Sequence, residues 1–535
     1  MYNKGLFKEW VPKPIMLLLI VLYLFPLLVV SGIYTANFSE MISDLGIYSE
    51  YLSWANYASF IGMGAALPLL LRFKMRFRSK ELMITSLLII ALFSMVIATT
   101  ANPIVLIFSN FIIGYFKIIA LIELILPVMF ILSPDGNRSK FYAIFYPLSI
   151  TTAQLSSYLF SNIAYNLEWQ AVHIIMSIVL LVLAGLSVIF MHDLRFSRKL
   201  PLHFIDWLSI LLYIVSLLLI SYVLVFAKQQ SWYTSPNIQY ATIGFIVVFT
   251  LFIIRQNGLK RPFVPLSIFK SKNFLQGITL LMGLGMCLAS GTIQNTFTVG
   301  ILGYNSLTNN LLNYAMIPGI ILGGFYASYC YKRNLPTKFL ILSGFLFYSF
   351  HFIIMYFLIS PQIDISLLIL PQILKGLGMT ILFISIWYYA LNGFDMNETL
   401  AAVALTIIVR SVISVAFAGA IYAWIFYKLQ WQSLENIAHH IDAVTLSPKG
   451  GGLVIYGRSS LQAILTASKT LYGYSIIITI IFIIYVLAIK FENTNYRRLI
   501  LIRKILKGES IKGYNIRRRK NTVESIAASV GAVGV

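Results

Sequence analysis

The chain has 535 residues, of which 59% are hydrophobic and 11% are charged, and this excludes an ordinary soluble domain because one core could not bury so much apolar surface. It carries 40 Lys and Arg against 18 acids, a net charge of +22 that fits either nucleic-acid binding or basic membrane loops. The cations lie between the apolar runs and not on one folded face, so the pattern favours a membrane protein without a nucleic-acid partner.

Apolar segments long enough to cross a bilayer, which takes about 20 residues, occur fourteen times along the chain. The predicted spans are 14–35, 51–71, 82–100, 103–132, 141–163, 170–191, 205–227, 237–255, 274–298, 309–330, 337–359, 365–391, 399–427 and 470–490. The first lacks a small-residue cleavage site, and we therefore interpret it as a retained span and not as a signal peptide.

Lys and Arg collect in alternate loops between these spans. The loop "RFKMRFRSK" has a cation at every second position from Arg72 to Lys80, whereas "ANFSEMISDLGIYSE" and "VGILGYNSLTN" contain none. One inner loop, "NGFDMNE", is an exception because it is acidic. Since cytoplasmic loops of membrane proteins are enriched in Lys and Arg, the pattern predicts that both termini are cytoplasmic and that the basic tail lies against membrane lipid.

Metal and cofactor sites are not indicated by the sequence. Cys287 and Cys330 both lie in apolar segments, which argues against disulfides and thiolate metal ligation. His439 and His440 are adjacent, so on a helix they would point about 100° apart, and no third ligand of the same type is near. No phosphate-binding P-loop is present. We therefore expect no metal and no cofactor.

An internal repeat is indicated by two similar loops, "RFKMRFRSK" after the second span and "CYKRNLPTK" after the tenth, which are equivalent if two groups of six spans flank an inserted pair. Further segments are "FIDWLSILLYIVSLLLISYVLVFAKQQSWYTSP", "RPFVPLSIFKSKNF", "EWQAVH", "AMIPGIILGG" and "LKGLGMTILFISIWYYAL" followed by "ALTIIVRS". In this order they resemble the fourteen-span drug:proton antiporter branch of the major facilitator superfamily, over about residues 20 to 490.

The resemblance implies an all-α integral membrane protein with the major facilitator fold, in which two six-helix bundles and two inserted helices make 14 transmembrane helices. The implied divisions are a cytoplasmic N-terminus (1–13), a first bundle (14–191), a linker with the inserted pair (192–255), a cytoplasmic loop (256–273), a second bundle (274–490) with an outer loop (428–469), and a basic cytoplasmic tail (491–535).

The function implied by the resemblance is that of a secondary transporter in a bacterial inner membrane, and not that of an enzyme. It would export small amphiphilic compounds by alternating access, with protons as the candidate coupling ion and a periplasmic adaptor protein as the candidate partner of the outer loop. Two alternatives stay open: a glycosyltransferase that uses a lipid-linked donor, with Glu40 and Asp44 as catalytic acids, and a relative that no longer transports.

The gating loop of that superfamily, approximately G-x-L-x-D-R-x-G-R-[RK], aligns with residues 71–80 and is matched by Arg76 and Lys80. The second copy retains its Arg as Arg333. Met75 replaces the family's Asp, and Asn110 replaces the Arg usual in the fourth span, so the usual proton-coupling residues are not carried over.

Ionisable residues within spans are costly to insert, by about 2.5 to 3.5 kcal/mol, and are candidates for function. They are Lys117, Glu123, Lys375 and Arg410; the polar and aromatic candidates are Asn37, Asn110, Gln154, Gln294, Asn295 and Trp387. Ordinary explanations are hydrogen bonds between helices, staples between the two halves, and packing. Three cations against one acid predict a preference for anionic or zwitterionic amphiphiles.

Overall fold

The computed structural model describes residues 6–132, 138–193, 205–259, 261–394, 396–440, 451–489 and 491. These described residues form helices almost throughout, and their β-pairing is limited to a single antiparallel bridge between Phe7 and Met191. A helical chain is the expected result for this composition, because lipid offers no hydrogen bonds and each backbone amide in a span must be satisfied within the protein.

The first group of helices forms one bundle. It contains α1 (Lys13–Ala36), α2 (Phe38–Leu45), α3 (Ser49–Ala66), α4 (Leu70–Arg76), α5 (Ser79–Thr99), α6 (Pro103–Leu132), α7 (Arg138–Asn166) and α8 (Trp169–Phe190). A short 3₁₀ turn joins α3 to α4, so that these two helices make one long span.

The rest of the chain adds an inserted pair and a second bundle. The pair is α9 (Trp207–Phe226) and α10 (Pro236–Gly258). The second bundle contains α11 (Lys272–Ala289), α12 (Gly291–Gly300), α13 (Ser306–Tyr314), α14 (Ile317–Lys332), α15 (Thr337–Leu358), α16 (Ile365–Ala390), α17 (Met396–Ile408), α18 (Val415–Ala438) and α19 (Gly451–Ala488). A π-helical segment, Val409–Ser414, joins α17 to α18.

Fourteen spans were predicted, whereas 13 stretches of the described residues are both long and apolar enough to cross a membrane. The difference is the predicted span 141–163, which lies in the 29-residue helix α7 but is rich in Ser, Thr, Asn and Tyr. This helix packs against α1, α13, α14 and α16, so that much of its surface contacts protein. Its polar composition is therefore tolerated, and the count of fourteen stays a prediction.

The two bundles repeat the same packing. In the first, the second and fourth spans (α3 and α6) cross where a Cβ on Gly114 would come within 1.9 Å of the Ser59 carbonyl oxygen. In the second, the corresponding spans (α14 and α16) cross where a Cβ on Gly319 would come within 1.9 Å of the Ile373 carbonyl oxygen. Only glycine permits such close backbone approach, so an internal repeat appears at equivalent crossings.

Other contacts follow the same correspondence: α5 packs on α8 in the first bundle, as α15 packs on α19 in the second. The bundles meet where α7 contacts α13, α14 and α16, and where α3 contacts α17. We call the end of the molecule that carries Lys13, Lys80, Lys272 and Lys332 the basic end, and the other the far end. At the far end Ser157 donates a hydrogen bond to Asn310 (3.2 Å), which joins the bundles there.

The inserted pair is fastened at the basic end by an ion pair between Asp206, just before α9, and Arg255 in α10, with two nitrogen–oxygen distances of 2.8 Å. Gln256 strengthens this junction, because its side chain donates to Ser209 (2.7 Å) and accepts from the Val264 amide (3.1 Å). Toward the far end, Trp54 of α3 donates to the Leu218 carbonyl (3.2 Å), which docks α9 on the first bundle.

The predicted outer loop 428–469, for which helical pieces were expected, is helical over most of the part that the structure describes. Helix α18 continues to Ala438 and α19 begins at Gly451, so that only about a dozen residues lie between them. A helix ends where a capping or breaking residue stands, and not where the lipid ends.

Candidate substrate cavity

A cavity of about 280 Å³ lies between the two bundles. Its walls come from α1, α3, α6 and α7 on one side and from α16, α17 and the π-helical segment on the other. Met129, Phe141 and Thr399 line it near the basic end, so the cavity runs from the middle of the molecule toward that end. Most of its lining is apolar, with leucines, isoleucines and aromatic side chains.

Two cations line this cavity from opposite bundles. Lys117, in the middle of α6, is 6% exposed, and its ammonium donates to the Leu28 carbonyl of α1 at 3.2 Å. Arg410, in the π-helical segment, lies with its guanidinium carbon 4.9 Å from the centre of the Phe383 ring and donates to Ser411 (2.7 and 2.9 Å). The described lining contains no acid, so its fixed charge is positive.

Aromatic side chains form part of the cavity wall. The Tyr146 ring of α7 lies 5.6 Å from the ring of Trp387 and 6.2 Å from that of Phe383, both in α16. These contacts cross from one bundle to the other, and the Trp387 side chain also lines the cavity. A flat apolar wall beside two cations suits a ligand with an anionic head and an apolar body.

The π-helical segment explains how Arg410 is presented. A π-turn inserts a residue into an α-helix, shifts the following side chains around the axis, and is frequent at functional sites. The backbone of α11 packs against it, because a Cβ on Gly285 would lie 2.2 Å from the Cβ of Ser414. No residue type in "ALTIIVRSVIS" signals a π-turn, so the sequence did not predict it.

Glu123 does not face the cavity. It is fully buried and pairs with Lys74 of α4 at 3.0 Å, with Lys74 2% exposed. Lys117 and Glu123 are six residues apart, about 240° around a helix, so they do not face each other, and each has its partner on another helix. From the sequence, however, Lys74 was expected in a cytoplasmic loop, among the alternating cations from Arg72 to Lys80. A signal existed: Leu67, Leu70 and Lys74 follow the i, i+3, i+7 spacing of one helix face, and both leucines are buried.

Lys375 and Gln294 form a separate polar cluster within the second bundle. The Lys375 ammonium donates to the side-chain oxygen of Gln294 at 3.1 Å, and both residues are less than a tenth exposed. His351 and Gln372 are buried nearby on α15 and α16 and were not singled out from the sequence. This cluster does not line the cavity described above.

The remaining polar candidates are dispersed. Asn110 donates to the Leu106 carbonyl of its own helix (3.0 Å), and the exposed Asn295 accepts from Asn309 (2.7 Å). Asn37 is buried between α1 and α2, and Gln154 is half-buried in α7. None of these four lines the cavity. They were candidates because they are polar residues within predicted spans, and a position within a span does not give the direction of the side chain.

The cations of the loop from Arg72 to Lys80, which includes predicted gating residues, have several different partners. Lys74 is buried, whereas Arg78 pairs with Asp193 at the end of α8, and Lys80 donates to the Val188 carbonyl at 2.8 Å. These two contacts lie within the first bundle. In the second copy, Arg333 stacks on Tyr329 of its own helix at 4.8 Å. Arg76 lies at the end of α4, and its gating role, like that of Lys80 and Arg333, stays a prediction.

Membrane-spanning helices in two similarly packed bundles, with a cavity between them, define a protein of the major facilitator type. A family model for the Major Facilitator Superfamily matches residues 19–419, and the chain therefore belongs to this superfamily. Solved structures agree in fold: the nucleoside transporter NupG (TM-score 0.53, 12% identity, 88% of this chain and 98% of that one) and a POT family transporter in complex with a thioalcohol conjugated peptide (TM-score 0.55, 13% identity, 87% and 95%).

Among individual proteins, the chain is similar to the fatty acid resistance protein FarB of Neisseria gonorrhoeae, with 25% identity over 248 residues, or 45% of this chain and 46% of FarB. It is also similar to the multidrug export protein EmrB of Escherichia coli (strain K12), with 24% identity over 216 residues and 40% of each chain. These matches span less than half the length of either relative.

Proposed function

We propose that the chain is a secondary transporter that exports small amphiphilic anions by alternating access. The observation that carries the proposal is the pair of cations, Lys117 and Arg410, which line one apolar cavity from opposite bundles. A carboxylate between them would be held by charge-assisted hydrogen bonds, while its apolar body contacts the aromatic wall.

Binding and conformational change are linked by this arrangement. Each cation is held by a different bundle, so an anion that contacts both favours the state in which the bundles close around it. Rocking of the bundles would separate the cations, weaken the site and release the anion at the far end. The names of the relatives support an amphiphile: FarB is called a fatty acid resistance protein, and a fatty acid has the carboxylate head and apolar body that the cavity suits.

The test is transport in proteoliposomes with decanoate as the anionic substrate and a permanently cationic amphiphile as the comparison. Replacing Lys117 or Arg410 by Gln should reduce decanoate transport about tenfold or more, since a hydrogen bond to a charged group contributes roughly 1.5–3 kcal/mol. Lys469→Gln is the matched control, because it removes one Lys charge from α19, outside the cavity. The proposal would be contradicted if the wild-type protein exported the cationic amphiphile and did not transport decanoate.

Proton coupling is proposed to use Glu123. It is the acid nearest the middle of the described spans, and its partner Lys74 lies on a different helix. Protonation would weaken the ion pair and free α4 to move relative to α6, which gives a proton a structural effect. Glu123→Gln should therefore abolish uphill transport driven by a pH gradient while leaving downhill exchange of decanoate measurable. Uphill transport that survives the substitution would exclude Glu123 as the coupling group.

An extracytoplasmic partner protein is proposed for the helical hairpin of α18 and α19. Continuous helix from Glu398 to Ala438 is 41 residues, about 60 Å, and thus twice the thickness of the hydrocarbon layer. At the far end, the hairpin exposes Trp431 of α18 and Tyr456 of α19, at 57% and 65%. Replacing both by Ala should reduce export from cells but not transport in proteoliposomes. Unchanged export would remove the claim of an adaptor.

The two alternatives receive less support. A glycosyltransferase would use Glu40 and Asp44, yet Asp44 accepts hydrogen bonds from Trp169 (2.8 Å) and Gln170 (2.9 Å) and so ties α2 to α8. The superfamily match also concerns a family of transport proteins. A transport-inactive relative would have no need for cations on both walls of a cavity, and the decanoate assay decides this directly.

A further inference from the structure

Lys375 lies in a polar cluster that the proposed transport site does not use. Its position in α16 is ten residues, or about 15 Å, from the far-end terminus of the helix at Ile365. The cluster is therefore near the middle of α16, slightly toward the far end, and about 18 Å along the helix from Trp387, which lines the cavity near the basic end. Its other members are Gln372, three residues earlier on the same face of α16, Gln294 of α12 and His351 of α15.

The charge of this cluster is not balanced within the described part of the chain. Lys375 is 7% exposed, and its described hydrogen bond is to the neutral Gln294, not to an acid. Burying an ammonium without a counter-ion is costly, so such groups usually occur with an anion. His351 cannot supply one, because its Nδ1 contacts the Pro371 carbonyl at 2.8 Å and its ring is neutral or cationic.

Gln372 gives an independent sign of a ligand. It is fully buried, and within the ranges that the structure describes neither its amide nitrogen nor its oxygen has a hydrogen-bond partner. Buried amides nearly always have partners, and each exception calls for an explanation. An amide N–H₂ beside an ammonium is a donor set that suits a small anion. The adjacent Gly291 leaves room on the other side, since a Cβ placed there would be 4.0 Å from the Lys375 ammonium.

We propose that Lys375 and Gln372, with Gln294, form a second anion site that binds a singly charged anion, either chloride or a carboxylate head group. Because the site lies between the cavity and the far end, a carboxylate there would be a substrate on its way out, and this version rests on the proposed function. Bound chloride would instead be a fixed counter-ion of the second bundle. The donor chemistry is the same for both.

The experiment measures the thermal unfolding midpoint of the full-length protein in detergent, at constant ionic strength set with methanesulfonate. Chloride is titrated into the wild type, and decanoate into the Lys117→Gln variant, in which the cavity site is weakened. A ligand that binds only the folded state raises the midpoint with a saturable dependence on concentration. We expect at least one of the two anions to do so.

The variants identify the site. Lys375→Gln should reduce the apparent affinity at least tenfold, whereas Lys375→Arg and the matched control Lys469→Gln should retain it. A chloride response that depends on Lys375 identifies the counter-ion, and a decanoate response alone identifies the substrate head group. Saturable shifts that are unchanged in Lys375→Gln, or the absence of a shift with both anions, would overturn the second site. Transport of decanoate is measured separately, so this result would leave the proposed function intact.

Discussion

Lys74 and Glu123 bury one positive and one negative charge together, at 2% and 0% exposure. Removing two ions from water costs several kcal/mol each, and their attraction offsets this only if both are present. The second carboxylate oxygen of Glu123 has no hydrogen-bond partner in the described ranges, so the pair is incompletely satisfied. Removing either charge would leave the other buried without its partner.

At the scale of residues, we expect the loss of stability in the double variant Lys74→Met, Glu123→Gln to differ from the sum of the losses in the two single variants. Lys74→Met leaves a buried carboxylate without its ammonium partner and should destabilise the protein by about 3–5 kcal/mol. The double variant removes both charges and should recover most of that loss. Thermal unfolding in detergent measures all three. Additive effects would show that the pair does not interact energetically.

The exposed ion pair of Arg78 with Asp193 provides the control, with side chains 38% and 54% exposed. Surface pairs contribute about 0–1 kcal/mol, so Arg78→Gln should change the unfolding midpoint little.

At the scale of helices, the crossing of α3 with α6 depends on residues without side chains. A Cβ on Gly114 would lie 1.9 Å from the Ser59 oxygen, and one on Gly62 would lie 2.2 Å from the Phe111 oxygen. Real atoms do not approach so closely, so any larger residue must push the helices apart. Glu123 and the cavity-lining Lys117 are on α6, and the crossing therefore also sets their position.

Gly114→Ala should consequently cost about 1–3 kcal/mol, or prevent folding, because overpacking forces the backbone to shift. Gly185→Ala in α8 is the matched control, since nothing lies within 4 Å of the added Cβ. It should be neutral or stabilising by up to about 1 kcal/mol, as Ala favours helix more than Gly does. Size-exclusion profiles and unfolding midpoints of the two variants test this, and equal behaviour would mean that the crossing is looser than described.

The junction of α9 with α10 depends on pH. Hydrogen bonds from Arg255, together with those from Ser209, lower the pKa of Asp206 to about 2 from its ordinary value. Because this pKa is lower in the folded protein, the stabilisation is present above the unfolded pKa, about 3.9, and is lost as the pH falls toward 2.

Asp206→Asn should therefore lower the unfolding midpoint at pH 7, and the difference from wild type should shrink as the pH decreases from about 4 to about 2. Midpoints measured across this range test the sign. A difference that does not change with pH would assign the effect to packing and not to ionisation.

For the whole molecule, the distribution of cations predicts orientation, and the cavity toward the basic end predicts an inward-facing state if that end is cytoplasmic. Ser79 begins α5 at the basic end, and Ser306 begins α13 at the far end. Both endogenous cysteines are buried, so we expect them to react little with a labelling reagent.

Cysteines introduced at Ser79 and Ser306, one at a time, should react with an impermeant maleimide from opposite sides of the membrane, Ser306 from outside. Whole cells and inverted vesicles give the two measurements. Labelling of both positions from one side would refute the predicted topology and, with it, the inward-facing interpretation.

The sequence alone was sufficient for the class and for the positions of the spans, because both depend on chain-local quantities. Apolar length determines whether a helix crosses lipid, and each predicted span coincides to within a few residues with one described helix or with consecutive ones. The loop motifs and their order also led to the superfamily that the family model confirms. Charge and aromatic bulk within a span can be read from the sequence, which is how Lys117, Trp387 and Arg410 became candidates; all three line the cavity, and their roles stay predictions.

Only the tertiary structure decided which of these residues meet. It placed Lys117 and Arg410 across one cavity, Glu123 against Lys74, and Lys375 with Gln372 in a separate cluster. The reason is physical: the direction of a side chain depends on helix rotation, on the π-helical segment that contains Arg410, and on glycine crossings between helices far apart in sequence. Those are properties of packed pairs, and a single helix does not contain them.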